Sequence, residues 1–74
     1  MSTLRDMLFT SAHADRAKAL LTLDLLENHQ AGIGDHSTDD FYKNANEALI
    51  MLVDANDRLA ALDKYFSLEQ QING

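Results

Sequence analysis

The 74-residue chain has no cysteine, no proline and no tryptophan, and only three glycines. Without cysteine there are no disulfides, thiolate metal ligands or thiol nucleophiles, so the staples that commonly hold a fold of this size are missing. Without proline, nothing breaks a helix from within. Basic residues are scarce too: 6 Lys and Arg stand against 12 Asp and Glu, giving a net charge of −6. Such a surface has little with which to displace counterions from a phosphate backbone, so no nucleic-acid partner is expected. Long apolar runs are also absent. The most apolar window, Ala17 to Leu26, is interrupted by Lys18, Thr22 and Asp24, and it falls well short of the roughly 20 residues that cross a bilayer. The opening Met1-Ser2-Thr3-Leu4-Arg5-Asp6 lacks the basic start and apolar stretch of a signal peptide, so no membrane partner and a cytoplasmic location are expected.

What is present is helical pattern. Two of the glycines, Gly32 and Gly34, fall mid-chain in Gly32-Ile33-Gly34-Asp35-His36-Ser37, and the third is Gly74. Glycine reaches the left-handed conformation that closes a helix, and Asp or Ser opens the next, so residues 32–37 read as a turn between two helices. Ser37 and Asp40 have capping-box spacing, as do Thr3 and Asp6; the predicted helices run from about 3 to 31 and from about 38 to 70. Within the first, two readings are open: one continuous helix, or a break near residues 9–11 with a restart at Thr10 or Ser11. Residues 1–74 thus form a single helical-hairpin domain.

The second segment carries the strongest periodicity. Phe41, Ala45, Ala48, Leu52, Ala55, Leu59, Leu62 and Phe66 recur at alternating steps of 4 and 3, a 3.5-residue repeat that keeps one seam facing a partner helix. Alanine at 45, 48 and 55 lets backbones approach closely, toward the lower end of the roughly 8–10 Å range of packed helices. Tyr42, Leu49, Val53 and Ala60 make a second apolar row. In the first segment Ala12, Ala19, Leu23, Leu26 and Ile33 share one register, with Arg16 and Gln30 as polar interruptions. Ala14, Ala17, Leu21 and Leu25 form another row, and Leu20 sits between faces.

Two antiparallel helices cover only one stripe of each other, leaving the second rows in water. Four or five leucine-sized side chains left out would each forgo about 1.5–3 kcal/mol of burial, a total comparable with the roughly 5–15 kcal/mol net stability of a small domain. The expected architecture is therefore all-α: an antiparallel hairpin with a long second helix, two copies of which pair into a four-helix-bundle homodimer. The residues assigned to helix packing and the oligomer interface are Ala19, Leu20, Leu23, Leu26, Phe41, Ala45, Ala48, Leu49, Leu52, Ala55, Leu59, Leu62 and Phe66.

Few residues suggest chemistry. His29, His36 and Asp40 gather near the turn, and His36 with Asp40 has ligand-like i, i+4 spacing, but the Glu-x-x-His pairs of bundle di-iron sites are missing. The acids are accounted for by the helix dipole, so no metal and no cofactor is expected. Ser11 and His13 lie too close in sequence to face one another on a helix, and two helices offer little concavity. No enzyme activity is expected. Arg16, within an apolar register, is expected to lay its stem along the interface and reach a carboxylate such as Asp15 or Asp57. Asn56, between the apolar rows, is placed to bond across an interface, and Asp54 with Arg58 forms an i, i+4 pair.

The stretch Ile33-Gly34-Asp35-His36-Ser37, with Asp40-Phe41-Tyr42 and later Leu59, Leu62, Lys64, Tyr65 and Phe66, resembles the short uncharacterised helical proteins of marine tailed phages and ocean metagenomes. That resemblance implies a phage accessory protein in a bacterial or infected host cell and carries over no functional residue. The expected function is a small acidic structural or protein-interaction module that self-associates by helix packing. An acidic mimic of nucleic acid, inhibiting a basic host protein, is the second class considered. A metal site within the bundle comes last.

Overall fold

A computed structural model describes residues 3–28 and 38–73, with side chains over 3–28 and 39–66. Two helices make up the described residues: α1, Thr3–Asn28, and α2, Thr38–Asn73. Helix α1 runs through residues 9–11 without a break. That continuity follows from composition, since the segment has no proline or glycine and is rich in alanine and leucine, the strongest helix formers. Asp6 in the first turn of α1, and Asp39 with Asp40 in that of α2, oppose the positive end of each helix dipole. Near the far end of α1, the Asn28 amide donates to the Asp24 carbonyl at 3.1 Å and to its carboxylate at 2.7 Å. The turn assigned to residues 32–37 lies outside the described residues.

The helices pack against each other as an antiparallel pair. Asp15 of α1 meets Arg58 of α2, and Arg16 meets Asn56. Toward the other end, Thr22 and Leu26 share a pocket with Ala48 and Met51. Position rises along one helix as it falls along the other, with Ala19 brought about level with Ala55. Ala12, Ala19 and Ala55 are fully buried, and Ala48 and Leu62 nearly so. These residues recur at seven, so the seam is a heptad stripe closed chiefly by methyl groups. Larger side chains line its edges: Leu23, Leu26, Phe41, Leu52, Leu59 and Phe66 are all half-buried, as is Ala45.

The result is a rod rather than a ball. Its extents are 56 × 17 × 15 Å, and its radius of gyration is 16.7 Å, against about 11 Å for a compact chain of this length. Among the described residues, no helix is long and apolar enough to cross a membrane.

Candidate interaction surface

A seam built from alanines has little apolar bulk to hide, and the larger side chains are left outside. Twelve large apolar residues are 39 to 67% exposed, among them Leu4, Met7, Leu21 and Leu25 on α1 and Tyr42, Leu49, Ile50 and Val53 on α2. They are not scattered. On α1, Leu4, Met7, Ala14, Leu21 and Leu25, interrupted by Ser11 and Lys18, follow the same alternation of 3 and 4 as the buried seam. On α2, the exposed Tyr42, Leu49, Val53 and Ala60 do so, with Asn46 and Asn56 between them. Each helix thus has one heptad stripe closed within the chain and a second one open. Contiguous apolar stripes rimmed by charge are the usual mark of a contact surface.

The interface assignment is thereby divided. Ala19, Ala48, Ala55 and Leu62 are closed between α1 and α2 of a single chain, while Leu20 and Leu49 stand exposed. Leu4 and Met7, which the sequence reading assigned to no row, join the open α1 stripe. A continuous first helix is what aligns them with Leu21 and Leu25.

Beside the α1 stripe, Leu8, Ser11, Arg58, Ala61, Leu62, Tyr65 and Phe66 line a shallow apolar groove of about 250 Å³. Arg58 crosses its edge, donating through one terminal nitrogen to Asp15 Oδ2 at 2.7 Å and through Nε to Asp54 Oδ2 at 3.0 Å. The hydrogen bond that it donates to Asp15 is the main cause that raises the guanidinium pKa above its already high ordinary value. Being raised, it stays charged in both folded and unfolded chains near neutrality, so Arg58 itself adds no pH dependence there. Both bridges are exposed to solvent, and Arg58→Met is expected to lower the urea midpoint only slightly, by an amount that shrinks further in high salt. A loss as large as that of a buried leucine would contradict this reading.

Arg16 departs from expectation. Its Nε donates to Asn56 Oδ1 at 3.1 Å, whereas Asp15 is taken by Arg58. The reason is register: Arg16 and Asp15 lie on opposite edges of the buried stripe, so they reach opposite edges of α2. The i, i+4 bridge of Arg58 with Asp54 is present. On α1, the Arg5 guanidinium sits 5.6 Å from the Phe9 ring centroid, and Phe9 meets His13 edge-on with centroids 4.4 Å apart.

Of the metal candidates, His29 and His36 lie outside the described residues, and Asp40 is exposed in the first turn of α2. No group of three or more His, Asp or Glu able to hold a metal ion occurs among the described residues. The molecule's class is that of an antiparallel helical hairpin with an open apolar stripe on each helix. Compared with known protein families, curated proteins and solved structures, the chain matches none.

Proposed function

We propose that the chain is a small acidic helical-hairpin module whose task is interaction through helix packing, and that its first partner is itself, as a four-helix-bundle homodimer. The observation that carries this is the apolar surface that the α1–α2 seam leaves exposed. A compact monomer of this 8.3 kDa mass would expose about 4,600 Å², whereas the chain exposes 5774 Å². The excess exceeds the roughly 800 Å² that each partner gives to a standard interface. Pairing would withdraw apolar side chains from water without any further residue type, and a twofold dimer is the commonest closed form. The resemblance to phage helical proteins supports reading such a module as an accessory protein that engages another protein of the host.

Sedimentation equilibrium at low micromolar concentration is expected to return about twice the chain mass, and the thermal midpoint is expected to rise with protein concentration. A stable, folded monomer with a concentration-independent midpoint would remove the proposal.

A further inference from the structure

We infer that two copies pair through α2 in antiparallel fashion, about a twofold axis level with residue 51, with Asn46 of each copy bonded to Asn56 of the other. This rests on the self-association proposed above and names the surface that carries it.

A twofold contact requires that if one residue meets another, the reverse also holds. The open α2 stripe has that property. It lies about a third of a turn from the buried seam at 3.6 residues per turn. Laid against a reversed copy of itself, Tyr42 meets Ala60, Asn46 meets Asn56 and Leu49 meets Val53, each pair of numbers adding to 102. These three layers are matched in kind, a large ring over a methyl, amide with amide, aliphatic with aliphatic, while the layers at the two ends bring Asp39 level with Asp63.

The amides add direction. Asn56 Oδ1 already accepts from Arg16 at 3.1 Å, which leaves its NH2 group as the donor facing outward. The Asn46 side chain is exposed and makes no hydrogen bond to another described residue, so its carbonyl oxygen can accept. Paired asparagines within an apolar stripe set register and orientation, because any slip places an amide against a hydrocarbon.

The flank of the stripe repeats the message in charge. Lys43, Ile50, Asp57 and Lys64, seven residues apart, share one side of α2. Reversal sets Lys43 near Asp57 and Ile50 near its own copy, both within two residues of the same register, or about 3 Å of helical rise. Neither Lys43 nor Asp57 has an ion-pair partner among the described residues; Lys64 Nζ lies 5.3 Å from the Tyr65 ring centroid. A parallel pairing would face this flank with the opposite one, Ala45, Leu52, Leu59 and Phe66, and leave Lys43 and Asp57 unmatched, so charge favours the antiparallel form. Ile50, 67% exposed, is covered only at the axis. The open α1 stripe lacks this complementarity: reversed on itself, it sets Lys18 against Ser11 and provides no carboxylate in the row.

The test is a charge-exchange cycle read by sedimentation equilibrium. Lys43→Asp and Asp57→Lys are each expected to weaken the dimer about tenfold, since each turns two attractive contacts repulsive. The double variant is expected to return to within about twofold of the parent. Both positions are exposed, and circular dichroism checks that the hairpin is intact. Because the chain has no cysteine, Ile50→Cys and Ala14→Cys variants can each be treated with a short bis-maleimide. Covalent dimer is expected from the first and not from the second. A monomeric parent would overturn self-association itself. A dimer indifferent to the charge changes, or one joined through position 14 and not 50, would leave self-association standing and overturn pairing through α2.

Discussion

Leu62→Ala is expected to lower the stability of the folded chain by about 2–4 kcal/mol, the range for removing a buried leucine whose surroundings cannot fully collapse. Leu62 is the one leucine-sized side chain among the buried residues of the seam; the others are Ala12, Ala19, Ala48 and Ala55. It also lines the groove beside Tyr65 and Phe66, so its loss joins a surface recess to the interior. For a chain this short, net stability of roughly 0.05–0.15 kcal/mol per residue leaves little margin. Urea unfolding followed by far-UV circular dichroism should show the midpoint falling sharply. Leu21→Ala, on an exposed site, serves as the control and should change the monomer's stability by less than about 0.5 kcal/mol. Equal effects at the two positions would mean that the seam is not where the structure places it.

Ala55→Leu tests the same seam from the opposite direction. Ala55 and Ala19 are fully buried at neighbouring levels, and two helices held together by methyl groups have no room for an isobutyl side chain. Overpacking of this kind costs about 1–3 kcal/mol where the backbone can shift. Here the helices can respond only by separating, which also loosens Ala12, Ala48 and Leu62, so the upper end of that range is expected. Leucine has higher bulk but nearly the helix propensity of alanine, and the helical signal should therefore outlast cooperativity. A broadened, earlier urea transition is the expected result. An unchanged or raised midpoint would show that the helices are spaced more widely than an alanine seam implies.

The heptad steps made much of this seam legible in advance. Ala48, Ala55 and Leu62 fall on the alternation of 4 and 3 that also contains Phe41 and Phe66, and Ala12 and Ala19 fall on the corresponding register of α1. Such positions announce themselves because periodicity is a property of one helix alone. Arg16 shows where that reasoning stops. It shares a register with apolar residues, yet its partner is Asn56 and not the neighbouring or facing carboxylates. Which edge of a stripe a charged residue occupies depends on how far the second helix is rotated, and no local spacing contains that angle. Leu4 and Met7 are similar: they align with Leu21 and Leu25 only because α1 continues through residues 9–11.

The scarcities noted at the start acquire their meaning from this division. The sequence by itself determined that the chain is helical, that two helices flank a glycine-bearing stretch, and that each helix carries more apolar surface than one neighbour can cover. Those are consequences of absent proline, alanine and leucine content, and a 3.5-residue repeat. Only the tertiary structure decided which stripe of each helix closes inward and which stays open. The physical reason is that burial between two rods is set by their relative rotation and register, fixed jointly by close alanine packing along the seam and by the bridges from Arg58 to Asp15 and from Arg16 to Asn56 at its edges.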